Sequence, residues 1–232
     1  MWHTAVMLAT SLMTVLEAAA RPDTRGLTGD ISNPEKLLDP ENIARLKDVA
    51  RVFALLAFHP RADSSVHEYL ISGGLLADSG PNILVFFVLD EDASAPVPIG
   101  DGAFSSWVSL NASSIPAYRL VRSLFEPAPV PPLPGLAFFS GLERDSEAVY
   151  VHLADDSDVD AVQRKLRTVF SLADHAARTQ PPQELLGSLR LALRRERIKY
   201  TATKRISLAE WLINSYHFVF DHAWDIVTLI KP

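Results

Sequence analysis

The chain contains no cysteine among its 232 residues. That absence excludes a disulfide-stapled scaffold, a cysteine-ligated zinc site and any chemistry that needs a thiolate. Histidine does not fill the gap. The seven histidines are scattered: His59 and His67 flank an expected loop, and His217 and His222 do not show the i, i+4 spacing of a helical metal site. Glycine is sparse, and Gly100-Asp101-Gly102 lacks the third glycine and the lysine of a phosphate-cradling loop. No Gly-x-Ser-x-Gly elbow marks a serine hydrolase. No uninterrupted apolar run reaches the roughly 18–20 residues of a membrane span, so no transmembrane segment is expected.

What is present is the composition of a globular domain, 48% apolar and 22% charged, in a chain long enough to bury a core without disulfides or metal. The net charge of −6 is unevenly placed. Between 186 and 206, Arg190, Arg194, Arg195, Arg197, Lys199, Lys204 and Arg205 stand against Glu196 alone. Such asymmetry points to an electrostatic surface, internal or external. Only Tyr200 interleaves this cluster, whereas single-strand binders offer several stacking rings, so a nucleic-acid partner is not expected. Asp155, Asp156, Asp158 and Asp160 lack the glycine and distal glutamate of a calcium loop and read as the acidic start of a helix. Neither a metal nor a cofactor is expected.

Periodicity and caps give the organisation. Trp2 to Ala20 imitates a signal peptide, but no Lys or Arg precedes it and Glu17 sits just before the alanines. An amphipathic helix is the expectation, and with it a cytoplasmic location. Asp39-Pro40-Glu41 starts a helix expected over 39–59, its apolar stripe running Ile43, Leu46, Ala50, Phe53, Ala57. A short helix over 64–72 ends at Gly73-Gly74. Asn82 to Leu89 reads as a strand buried on both faces, followed by the acidic cluster Asp90-Glu91-Asp92 and a Pro/Gly loop over 93–102. Trp107 to Leu110 is a second candidate strand, and Ile115 to Phe125 a helix. The C-terminal helices are expected at 183–200 and 207–230, the latter opened by the capping box Ser207-Leu-Ala-Glu210.

Leu133-Pro134-Gly135-Leu136-Ala137-Phe138-Phe139 then sets a proline before a short apolar strand. Ala148 to Leu153 forms a second strand, and an amphipathic helix begins at Asp158. That order resembles the C-terminal half of a thioredoxin fold, in which a cis-proline opens a hairpin and a helix packs behind it. The resemblance implies an α/β fold with a thioredoxin-like central sheet and additional helices at both ends. The expected division is a helical extension at 1–60, a thioredoxin-like domain at 61–180 and a second helical extension at 181–232, packed as one unit. It also implies that Leu133–Pro134 is the cis bond and that Pro134 helps bind extended partners. The segment corresponding to the redox motif is expected at 93–102. Without cysteines, the implied function is a redox-inactive interaction module: a complex subunit, adaptor or chaperone. A protein partner or a second copy of the chain is expected, with Trp2, Trp211, Phe218 and Trp224 as aromatic anchors. Two rivals remain: an enzyme of glutathione-transferase type, and a binder of an anionic polymer through the basic helix.

Overall fold

A computed structural model of the protein describes residues 39–58, 63–89, 107–111, 117–125, 128–143, 145–154 and 158–214. In chain order the elements are α1 (Pro40–Val49), β1 (Val52–Ala57), α2 (Ser64–Ile71), α3 (Gly74–Asp78), β2 (Ile83–Leu89) and β3 (Trp107–Asn111). There follow α4 (Ala117–Phe125), β4 (Gly135–Phe139), β5 (Ser146–His152), α5 (Val159–Thr179), α6 (Pro182–Arg195) and β6 (Tyr200–Ile206). A further helix occupies 208–214. The strands form one mixed sheet in the order β3-β2-β1-β4-β5-β6. The first three run parallel, and β4, β5 and β6 pair antiparallel in turn. This α/β architecture is compatible with the thioredoxin-like expectation. The Leu133–Pro134 peptide is cis.

The sheet separates two apolar layers by alternation along β1, β2, β4 and β5. Phe53, Leu55, Phe86, Phe139 and Tyr150 face α1, α4 and the helix from 208. Ala54, Leu56, Val85, Phe138 and Val151 face α2, α3, α5 and α6. Phe53 stacks on Phe86 with ring centroids 6.4 Å apart, and Phe138 meets the edge of Phe170 at 6.1 Å. Local signals set several boundaries as expected. Asp158 caps α5 by accepting from the Ala161 N–H at 2.7 Å, and Gly73 takes φ 79 where α2 ends. The Ser207 hydroxyl accepts from the Glu210 N–H at 3.4 Å, as a capping box requires.

Two expected elements need correction. The helix expected over 39–59 ends at Val49, and Val52–Ala57 is an inner strand buried along its whole length. Val52 to Phe58 contains no polar residue; as a helix it would be apolar all round, whereas a strand between two helical layers hides both faces. The helical spacing of Ile43, Leu46, Ala50, Phe53 and Ala57 still has a physical basis. All five lie in the same apolar layer, the first three from the helix side and the last two from the strand beneath it. At the other end, α6 stops at Arg195 rather than 200, and Tyr200–Ile206 becomes an edge strand. The sheet therefore draws strands from both sides of the expected boundaries at 60 and 180.

The α6 stop is built by backbone geometry. The Arg197 N–H donates to the Arg194 carbonyl at 3.1 Å and the Ile198 N–H to the Leu193 carbonyl at 2.9 Å. Arg197 itself sits at φ 57. This is a Schellman ending with arginine in the left-handed position usually given to glycine. On β6, a register shift opposite Glu147–Val149 makes a bulge. There the Thr203 hydroxyl accepts from the Ala148 N–H at 2.8 Å and donates to the Lys204 carbonyl at 2.7 Å. The bulge leaves both Lys204 and Arg205 exposed.

Candidate functional site

The register decides what surrounds Pro134. Ala57, the last residue of β1, lies opposite Gly135, the first of β4. Among the described residues, this end of β1 is followed by buried Phe58 and, from Asp63, by the start of α2; Asp63 is close enough to act on Tyr150, whose hydroxyl donates to the Pro132 carbonyl. The 93–102 loop, which lies outside the described residues, follows β2, and β1 separates β2 from β4.

Pro134 itself is buried, Leu133 half-buried and Pro132 exposed. Backbone and ring contacts hold this turn. The Leu153 N–H donates to the Pro134 carbonyl at 3.0 Å, and Tyr150 Oη donates to the Pro132 carbonyl at 3.1 Å. Phe125 meets the Tyr150 ring edge-on at 5.5 Å. Burial, reinforced by the negative charge of Asp63, pushes the Tyr150 phenol well above its ordinary range. Tyr150 is therefore a neutral hydrogen-bond donor here. His152 Nε2 contacts Thr201 Oγ1 at 2.8 Å, and Lys165 Nζ donates to the His152 carbonyl at 3.2 Å. On α2, His67 has a buried Nε2 with no partner among the described residues. No cluster of three metal-ligating side chains occurs among the described residues. No helix among them is long and apolar enough to cross a membrane.

The structure brings some of the expected site residues together and separates others. Trp211 is only 4% exposed. It stacks on Phe139 at 6.3 Å and donates from Nε1 to Ser123 Oγ at 2.6 Å, so its ring is a core element that joins the 208–214 helix to the sheet. Trp2, Phe218 and Trp224 lie outside the described residues, as do His59, the acidic cluster at 90–92, His217 and His222.

The seven basic residues divide by role. Arg190 pairs with Glu147 at 3.0 Å. Arg194 donates from Nε to Tyr200 Oη at 2.6 Å, with its guanidinium 5.9 Å from the ring centroid. Arg205 Nη2 donates to the Asp145 carbonyl at 3.1 Å. Arg195, in the last turn of α6, suits the negative end of that helix. Arg195, Arg197, Lys199 and Lys204 are exposed. Arg190 and Arg194 of α6 thus engage a carboxylate of β5 and the ring of Tyr200, and Arg205 of β6 a backbone carbonyl. Comparison with protein-family models, with curated proteins and with solved structures finds no match to this chain.

Proposed function

We propose that the protein is a redox-inactive, thioredoxin-like interaction module that serves as a complex subunit, adaptor or chaperone. One observation carries the reading. The exit of an inner strand, the start of α2 and the turn at 132–135 meet at one end of the sheet, in a chain without any cysteine. In the fold that the sequence resembles, that meeting point is where extended partners bind beside a thiol pair. Here the same place offers exposed Pro132 and Ser64, half-buried Leu133 and the Asp63 carboxylate, which can hold a partner but cannot exchange a disulfide.

The test has two parts. Insulin reduction by the purified protein should match a protein-free blank. A panel of extended peptides, followed by fluorescence anisotropy, should contain ligands that bind saturably. Pro132→Glu and Ser64→Glu, both at exposed positions, should weaken those ligands by about tenfold, or roughly 1.4 kcal/mol, with the melting temperature unchanged. Reductase activity, or peptide binding indifferent to both substitutions, overturns the reading.

A further inference from the structure

The opposite end of the sheet carries a different feature. Phe139 lies across from Phe53 at the far end of the β1–β4 pair, and Ser140 follows it. Two concavities of about 400 and about 220 Å³ open there, and Ser140 lines both. Together they make one furrow. It runs from Arg51, before β1, past Ser140 to Arg205 at the end of β6.

Three observations single out this furrow. First, two of its guanidiniums have no carboxylate partner among the described residues. Arg51 Nη1 donates to the Ala177 carbonyl at 2.8 Å, and Arg205 Nη2 to the Asp145 carbonyl at 3.1 Å. Each guanidinium is held in place by a neutral oxygen. Of the other charges lining the furrow, Lys47 pairs with Glu143 and Arg190 with Glu147, and Asp145 adds one exposed carboxylate. Second, Ser146 Oγ, in the wall of the larger concavity, is buried and has no hydrogen-bond partner among the described residues. Buried hydroxyls are normally satisfied, so one that lines a furrow without a partner is a vacancy for an acceptor. Third, Gly187 lies inside α6 and lines the larger concavity. A Cβ there would meet nothing within 4 Å. Glycine inside a helix is unfavourable relative to alanine, and no packing contact at this position requires it. What the missing side chain leaves is room against the helix backbone.

We infer that this furrow is a docking site for an acidic peptide segment of a partner protein, lying extended between Arg51 and Arg205. Carboxylates supply the acceptors that two guanidiniums and a buried hydroxyl lack, and planar guanidinium groups match carboxylates in geometry. Phe53, Leu185 and Leu186 line the floor between them, so an apolar side chain fits between two acidic ones. The site is at the other end of the sheet from Pro134, and the inference stands or falls separately from the proposed function.

The experiment uses the full chain and a fluorescein-labelled eight-residue peptide that alternates Glu with Leu, with a Lys/Leu peptide as the charge control. The acidic peptide should bind saturably and weaken as salt is raised. Gly187→Leu fills the furrow from a position with open space and improves helix propensity, so it should lower affinity about tenfold or more without lowering the melting temperature. Arg205→Gln should lower affinity by a similar factor, and Pro132→Glu should leave it unchanged. Inorganic phosphate at millimolar concentration should not displace the peptide; full displacement by phosphate would reassign the site to a small anion. No saturable binding, equal binding of the Lys/Leu peptide, or unchanged affinity in Gly187→Leu would each overturn the inference.

Discussion

The ring of Tyr150 occupies the space into which a side chain at Gly135 would project: a Cβ there would collide with Tyr150 Cζ and Oη. The ring cannot simply retreat, because it is fully buried, hydrogen-bonded to the Pro132 carbonyl and packed against Phe125. Gly135→Ala is therefore expected to destabilise the protein by about 1–3 kcal/mol, the usual penalty for overpacking. In a Tyr150→Ala background the same substitution should have little further effect, because the clashing ring is gone. Urea denaturation of the four proteins in the cycle measures this directly.

Stability should decline in alkali before most lysines titrate. Tyr69 and Tyr150 are both held well above the ordinary phenol range, chiefly by burial and next by the charges of Asp78 and Asp63 respectively. In the unfolded chain both ionise near pH 10. Above that pH the unfolded state has released protons that the folded state keeps, so the unfolding free energy falls as pH rises. Below about pH 10 neither phenol contributes a slope. Denaturation midpoints between pH 8 and 11 should show the decline, and a Tyr69→Phe, Tyr150→Phe double variant should flatten it. An identical slope in that variant would trace the alkaline loss to other groups.

Thr203→Val keeps the shape of the β6 bulge and removes its hydroxyl. The Ala148 N–H, which donates to that hydroxyl at 2.8 Å in a buried setting, then loses its acceptor. The expected loss is about 1–3 kcal/mol, the penalty for an unsatisfied buried donor. Thr203→Ser retains the hydroxyl and should recover most of it. Amide exchange should show the Ala148 N–H losing protection in the valine variant alone.

Arg197→Gly should act in the opposite direction. Position 197 has φ 57 at the Schellman ending of α6, a conformation that glycine adopts freely and residues with a Cβ do not, at roughly 1–2 kcal/mol. A gain of about 1 kcal/mol is expected from thermal or urea unfolding. A loss of stability instead would mean that the Arg197 side chain makes a contact worth more than the backbone strain.

Most of the fold was legible where local chemistry and tertiary packing agree. Asp158, Gly73 and Ser207 mark helix ends through their own backbone bonds, and Ile83 to Leu89 is too apolar for anything but an inner element. The β1 strand was read wrongly because packing on one layer mimics helical spacing: Phe53 and Ala57 meet Ile43, Leu46 and Ala50 across an interface, not along a helix. The uninterrupted run from Val52 to Phe58 was the better signal. The strand β6 was hidden by its charge, since Lys204 and Arg205 side by side break the alternation that the bulge explains. Pro134 was found from its place before an apolar strand. Which strand ends share its end of the sheet is not legible, because a register such as Ala57 opposite Gly135 is not written in either strand. Arg51, Ser140 and Gly187 carry no mutual signal at all; the fold brings them to one furrow from three separate elements.

The β6 bulge has a consequence for association between copies. Among the described residues β6 is the last strand of the sheet and one side of its backbone is unpaired by any strand; open strand edges are the usual templates for unwanted polymerisation. Here the outward rail is kinked at Thr203 and guarded by two adjacent cations. A second copy laid antiparallel against it would present the same kink and the same two cations, so the register breaks and like charges meet at the seam. The basic pair at the end of β6 thus acts as a fence along the sheet's flank, turning away its own image while leaving the furrow between Arg51 and Arg205 open to acidic visitors.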